Sequence, residues 1–327
     1  MKALVCRTFG LPETLVVEEV PEPVAGPGQA VVRVHAAGVN FPDALIIQNK
    51  YQFTPALPFV PGSECAGVIE SLGVGVERFR PGDRVVALTP SGAFAEKAVA
   101  PAEALTRLPE SVDFATGAAF LLTYGTAYHA LADRAALERG ETLLVLGAAG
   151  GVGIAAIEIG KALGARVIAA GSTAGKRDTC RAHGADEVID YTAVDLKAVL
   201  AALTAGKGVD VVFDPVGGPF TEAALRSCAW RGRHLVIGFA SGEIPRLPAN
   251  LTLLKGCSLI GVFWGRYVKT EPAAWAADLE ILLRWLGEAR LRPHVAERFP
   301  LARGPEALTR LLERKALGKL VITPPAA

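Results

Sequence analysis

Over the first hundred or so residues, apolar positions come in short runs that alternate with polar ones and are cut by turns. Ala30-Val31-Val32-Arg33-Val34-His35-Ala36 follows the turn Gly26-Pro27-Gly28 and alternates as a half-buried strand does. Residues 67–73 predict a second strand, and residues 84–88, after Pro81-Gly82-Asp83, a third. Many short strands joined by turns predict a β-rich, barrel-like region. The pattern changes near Asp113. Residues 115–137 have helical spacing with an interruption near Tyr124-Gly125. Apolar runs without alternation then follow at 142–146, 166–170, 188–189, 209–213 and 234–239, separated by helical stretches at 153–163, 175–183, 196–203 and 219–228. Continuous apolar strands between helices predict a parallel sheet covered on both faces. Beyond Trp264 the pattern predicts helices at 275–289 and 305–315 and a closing strand at 320–322.

Composition narrows the class without naming a function. The chain has 327 residues, enough for roughly two domains of about 150 residues each. Its hydrophobic share of 51% excludes a disordered protein. Lys+Arg is 34 against Asp+Glu 33, a balance that argues against nucleic-acid binding. The start of the chain is broken by Arg7 and no run of 18 apolar residues occurs, so neither a signal peptide nor a membrane span is expected. The five cysteines at 6, 65, 180, 228 and 257 show no CxxC spacing, which fits reduced thiols in a cytoplasmic protein.

The strongest motif is Gly147-Ala148-Ala149-Gly150-Gly151-Val152-Gly153, between a predicted strand and a predicted helix. This is the setting a dinucleotide fingerprint requires, and Ala149, Gly150, Gly151 and Val152 are the candidates to meet a pyrophosphate at the helix N-terminus. NAD sites place a carboxylate about 20 residues further on, at the end of the second strand. That place reads Ala170-Gly171-Ser172-Thr173, and no carboxylate occurs from Arg166 through Arg177. Gly171, Ser172 and Lys176, with Arg177 beside them, instead suit a 2′-phosphate, so NADPH is the expected cofactor. Lys176 and Arg177 also read as an ordinary solvated helix start, although cations are disfavoured there. Gly238, Phe239 and Ser241 follow a strand of the same sheet, where such sheets bind ligands. No hydrolase nucleophile elbow and no Walker loop is present.

Several segments in order resemble the zinc-independent quinone oxidoreductases, the zeta-crystallin-like branch of the medium-chain dehydrogenase/reductase superfamily. They are Ala37-Gly38-Val39-Asn40-Phe41-Pro42-Asp43, Pro61-Gly62-Ser63-Glu64-Cys65-Ala66-Gly67-Val68, Arg80-Pro81-Gly82-Asp83-Arg84-Val85 and Thr123-Tyr124-Gly125-Thr126-Ala127-Tyr128. The loop at 147–153, Gly184-Ala185-Asp186 with Val188-Ile189-Asp190-Tyr191, and Gly318-Lys319-Leu320-Val321-Ile322 complete the set, which spans nearly the whole chain. The resemblance implies an α/β fold: a GroES-like β-barrel catalytic domain (residues 1–122 and 265–327) interrupted by a Rossmann NADPH-binding domain (123–264). It implies an active site with the nicotinamide between the two domains. It also implies a homodimer or homotetramer joined through Rossmann edge strands; residues 258–264 fit that edge strand and fit a buried interior strand equally.

Zinc alcohol dehydrogenases of this superfamily place a Cys after the first Gly-Val and a His in Gly-His-Glu. Here those positions hold Asn40 and Ser63, which are poor zinc ligands. Without a Lewis acid, hydride addition to a quinone, or to an enone or enoyl thioester, is easier than alcohol oxidation. The resemblance makes Asn40, Asp43 and Tyr51 the cleft residues. Asn40 and Tyr51 can donate to a carbonyl oxygen that gains charge, and Tyr51 can deliver a proton. Asp43 reads equally as a helix N-terminal carboxylate, and Tyr51 also reads as a packed aromatic. Ile47 and Asn49 stand where the family often has Arg and Gly, which makes the mouth less basic. The resemblance also puts Thr126 near the nicotinamide and Tyr191 near the adenosine phosphate, and returns the chain to the cleft at Phe263, Trp264 and Gly265. Phe239, Phe263 and Trp264 read as core residues too. The expected substrate is a small quinone or enone. The competing class is a non-catalytic NADPH-binding structural or RNA-binding protein.

Overall fold

The computed structural model describes residues 1–325. Two units share the chain: Met1–Leu122 together with the stretch from Pro293 onward, and Thr123–Arg292. In the first unit β1 (Lys2–Val5) pairs antiparallel with β2 (Val16–Glu19). β3 (Gln29–Val39), α1 (Phe41–Ile46), β4 (Glu64–Leu72), β5 (Arg84–Leu88), β6 (Lys97–Pro101), β7 (Leu105–Arg107) and α2 (Phe114–Ala118) follow.

The second unit begins with α3 (Leu121–Tyr128), which runs into a π-helical turn over His129–Arg134. It continues through β8 (Thr142–Val145), α4 (Gly151–Leu163), β9 (Arg166–Ala170), α5 (Ala174–Ala182), β10 (Glu187–Ile189), α6 (Leu196–Leu203), β11 (Val209–Asp214) and α7 (Pro219–Arg226). β12 (Cys228–Val236), α8 (Asn250–Lys255), β13 (Ser258–Gly261), α9 (Trp264–Thr270) and α10 (Pro272–Gly287) complete it. The six strands lie parallel in the order β10-β9-β8-β11-β12-β13. This is the doubly wound order, with its switch point between β8 and β11. Leu143, Leu144, Val145, Val167, Ile168, Val211, Val212 and Phe213 are fully buried, as strands covered on both faces must be.

The chain then returns through β14 (Val295–Pro300), α11 (Gly304–Leu312) and β15 (Lys319–Thr323). β15 pairs antiparallel with β3, Leu320 opposite Val39 and Val321 opposite Gly38, so both ends of the sequence build one seven-stranded sheet in the order β14-β15-β3-β4-β5-β7, with β6 on β3. Leu320, Val321 and Ile322 are buried in its core with Leu4, Val32, Ile69, Phe94 and Phe299.

Three expectations move. The return to the first unit comes at Pro293 instead of 265: Trp264 packs on Trp275 and Trp285 on Tyr128, which ties α9 and α10 to the second unit. The helix break predicted at Tyr124-Gly125 falls at Ala119 and Phe120. Gly125 is helical, and a Cβ there would lie 2.7 Å from the Trp264 indole, so it is a close-packing glycine and no breaker. The strand predicted at 234–239 starts at Cys228 and ends at Val236, leaving 237–249 as loop.

Candidate active site

The nucleotide-type loop joins β8 to α4. Gly147 takes a φ of +55° with Val216 against it, a conformation and a space that suit glycine. A Cβ on Gly153 would lie 2.6 Å from the carbonyl oxygens of Gly147 and Ala148, so the helix can fold back this tightly only on glycine. Gly150 is the N-cap, and the N–H groups of Gly151, Val152 and Gly153 are those an α-helix leaves without a carbonyl of its own. With the positive end of a 13-residue helix behind them, they form an anion-binding terminus, with Ala149 on its approach.

The other candidates of this unit lie mainly just beyond the C-terminal ends of its strands. Gly171 and Ser172 follow β9, and Thr173 caps α5 by accepting from the Lys176 N–H. The Lys176 ammonium donates to Ser172 Oγ at 3.3 Å. Arg177 stays beside Gly171, donating to its carbonyl at 3.2 Å, while it holds Asp190, at the end of β10, at 2.6 Å. The expected three-residue cationic pocket is therefore a Ser172–Lys176 pair, with Arg177 neutralised by a carboxylate from the next strand. Tyr191 packs edge-on against Phe220 at 4.4 Å. Gly238, Phe239 and Ser241 follow β12, Ser241 closing a turn onto Glu243 and Phe239 facing an apolar recess with Val236, Leu247 and Leu259. Beyond β13, Phe263 is exposed, Trp264 is buried against Gly125, and Gly265 lies in the first turn of α9. Of the two open readings, Trp264 takes the core one. Thr126 lies apart from these loop tips, on α3 and partly buried.

In the first unit, β3 runs directly into α1 and brings Asn40 and Asp43 together. The Asn40 N–H donates to Asp43 Oδ2 at 2.8 Å, and Ser63 Oγ donates to Asp43 Oδ1 at 3.0 Å. Asp43 is 1% exposed. Burial lifts its carboxyl to about 7, against the pull of these two donors and of the Lys319 ammonium; the Glu64 carboxylate pushes the same way as burial. Tyr51, half-buried on the same core, is pushed up by burial and by the charge of Asp43.

The Asn40 side chain faces inward. Lys319 Nζ donates to its Oδ1 at 2.5 Å, while its Nδ2 donates to the Gly38 carbonyl at 3.2 Å and to Glu64 Oε2 at 3.3 Å. Lys319 also pairs with Glu64 at 3.1 Å, and Glu64 Oε1 accepts the Leu122 N–H. Both amide hydrogens of Asn40 are thus engaged within the protein. In this arrangement the Asn40 amide serves Gly38 and Glu64 and so holds the loop. Ile47, expected at the mouth, is fully buried core, whereas Asn49 takes a φ of +54° at the position where glycine was expected. The sequence names Ser63 only as a failed zinc ligand and Lys319 only as part of a motif. That Ser63 would meet Asp43, and Lys319 meet Asn40 and Glu64, depends on pairings across 20, 279 and 255 positions that no local pattern shows.

A zinc ion does not fit the positions homologous to the zinc ligands. Asn40 already carries an ammonium on its carbonyl oxygen, and the Ser63 hydroxyl is a weak donor committed to Asp43. Among the described residues no group of three or more His, Cys, Asp or Glu is arranged to hold a metal, and no helix is long and apolar enough to cross a membrane.

Two family models match the chain, one described as "Alcohol dehydrogenase GroES-like domain" over residues 26–110 and one as "Zinc-binding dehydrogenase" over residues 151–284. "Quinone oxidoreductase-like protein 2" of Bos taurus is 39% identical over 324 residues, covering 98% of this chain and 92% of that protein. "Quinone oxidoreductase" of Homo sapiens is 33% identical over 327 residues, covering 98% and 97%. The crystal structure of Escherichia coli quinone oxidoreductase complexed with NADPH is similar with a TM-score of 0.94 at 29% identity, covering 99% of this chain and 100% of that one. The chain belongs to the medium-chain dehydrogenase/reductase superfamily and, within it, to the quinone oxidoreductase-like family.

Proposed function

We propose that this protein is a zinc-independent, NADPH-dependent reductase of quinones. The observation that carries the reading is the Ser172–Lys176 pair at the end of β9, where an NAD site would present a carboxylate. A hydroxyl beside an ammonium accepts a phosphate dianion, and a carboxylate would repel it. The names of the relatives, and the NADPH in the Escherichia coli structure, support the same choice. Ala149, Gly150, Gly151 and Val152 would take the pyrophosphate, and Gly171 gives the 2′-phosphate room. Tyr191, Gly238, Phe239 and Ser241 line the same strand edge, with Thr126, Phe263 and Gly265 toward the nicotinamide end and Trp264 packed beneath them on Gly125. When bound, NADPH supplies the hydride.

The protein's own chemistry is proton supply and orientation. Reduction of a quinone to a hydroquinone by hydride consumes one proton as well. Asp43, protonated up to about pH 7, stands behind the partly exposed Ser63 hydroxyl. In the relay the hydroxyl turns: with Asp43 protonated, its carboxyl donates to Ser63 Oγ, the Ser63 hydroxyl gives its hydrogen to the acceptor oxygen and takes the Asp43 proton in the same step, and Asp43 is reprotonated from solvent between turnovers. Tyr51, close enough to feel the charge of Asp43, orients the acceptor. Edge strand β13, with Leu259 45% exposed, supports pairing of two copies through their parallel sheets.

The test is consumption of NADPH, against NADH, with a panel of quinones and enones. Oxidation of NADPH by quinones, with little from NADH, is the expected result. No turnover of any acceptor would leave a binding protein, and faster turnover of an enone than of any quinone would move the substrate assignment to conjugated alkenes.

A further inference from the structure

Lys319 is 4% exposed and Glu64 is fully buried, with the buried Asn40 and Asp43 as their polar neighbours. Removing two ions from water costs several kcal/mol each, and a well-packed apolar pair of similar volume is often as stable or more so. Stability alone therefore gives little reason for this pair. Geometry gives a better one. Lysine can only donate, so it fixes which end of the Asn40 amide faces it. With Oδ1 held by the ammonium, Nδ2 must point to Glu64 Oε2 and the Gly38 carbonyl. The fit is tight: a Cβ on Gly38 would lie 2.0 Å from the Ala118 carbonyl oxygen, 3.0 Å from Glu64 Oε2 and 3.1 Å from Lys319 Cε. The same Asn40 uses its backbone N–H to hold Asp43. An amide free to turn would let the start of α1 drift and would loosen the Asp43–Ser63 contact.

We propose that Lys319, with Glu64 as its counter-ion, is a positioning residue of the proton relay: it locks the Asn40 amide and through it the N-terminus of α1 that carries Asp43. Lys319 touches neither acceptor nor cofactor groups named above. The groups facing Asp43 are Asn40 from its own loop, Ser63 and Glu64 at the start of β4, Lys319 on β15 and Tyr51 beyond α1. The inference rests on reading Asp43 and Ser63 as the relay.

The experiment separates locking from charge compensation. Lys319→Met leaves Glu64 buried and unpaired and can fail to fold, so the decisive protein is the double variant Lys319→Met with Glu64→Gln, which has no unpaired charge. Steady-state kinetics with NADPH and a quinone are measured for wild type, Glu64→Gln and the double variant, with thermal midpoints as a folding check. Locking predicts that the double variant keeps its fold and its KM for NADPH while kcat falls on the order of 100-fold, the usual cost of a small misplacement. Glu64→Gln, which retains the Lys319 donor to Asn40, loses less than the double variant. Wild-type kcat in the double variant would show that Lys319 only compensates Glu64, and would overturn the proposal. So would a loss that appears equally in KM for NADPH, or a double variant that cannot fold while Glu64→Gln keeps wild-type kinetics. An inactive wild type overturns the functional reading itself, whereas an active wild type with an unimpaired double variant overturns this inference alone.

Discussion

Asp43→Asn should make the first unit less stable in acid and more stable in base. The Asp43 carboxyl rises from the ordinary 3.8 to about 7 on folding, mainly through burial. The folded state therefore holds this proton more tightly than the unfolded chain does. The benefit is complete below the unfolded value of 3.8 and is lost as pH climbs to about 7. A rise of about 3 units at 1.36 kcal/mol each amounts to about 4 kcal/mol, a fixed cost of ionised Asp43 above neutrality. Asparagine does not titrate, but it weakens the bonds from the Asn40 N–H and Ser63 Oγ, a pH-independent loss of about 1–2 kcal/mol. The variant should thus be less stable than wild type by about 1–2 kcal/mol near pH 4 and more stable by about 2 kcal/mol near pH 8. Urea unfolding of both proteins, followed by far-UV circular dichroism across that range, gives the difference, in which the other titrating groups cancel. A difference that stays flat with pH, or that swings the other way, would refute the assignment of Asp43 as a neutral acid below pH 7.

Activity of the wild type should fall as pH rises through about 7, because the relay needs the protonated form of Asp43; a profile flat across neutrality would exclude it as proton source. Ser63→Ala should lower kcat by about 100-fold or more with KM for NADPH unchanged, the scale of a lost proton-transfer group, measured with a quinone at saturating NADPH. Lys176→Ala should raise KM for NADPH by about tenfold while leaving NADH unaffected, the size of one charge-assisted hydrogen bond. Gly125→Ala should cost about 1–3 kcal/mol, because its Cβ enters the Trp264 ring; an unchanged thermal midpoint would show that the indole can step aside.

Legibility in the sequence followed the range of the contacts. Strands 84–88 and 166–170 and helix 196–203 fall where the pattern puts them, because a short apolar strand run bounded by turns or an amphipathic helix declares itself within its own window. β1, β2, β6, β7 and β14 carry no strand signal of their own: they are three to six residues long and carry Lys, Glu, Pro or Arg, so their state is set by the neighbours they pair with. At the site, the Gly-rich loop and the missing carboxylate after β9 were legible because both are local. The charge partner of Arg177 is not legible, because Asp190 arrives from another strand. Asn40 is legible as a site residue, whereas two partners of its amide, Glu64 and Lys319, lie far along the chain on β4 and β15.

The pairing of β15 with β3 also sets a timetable. Residues 37–39 find their partners at 320–322, after the whole of 123–292 has been made. The inserted unit is contiguous and can close its sheet as soon as it leaves the ribosome. The sheet whose strand β3 leads into α1 and Asp43 keeps an open strand edge until residues 320–322 emerge. A nascent chain truncated before Lys319 should therefore acquire nucleotide affinity before it acquires turnover, and during that interval the unpaired flank of β3 is where a chaperone has the most to protect.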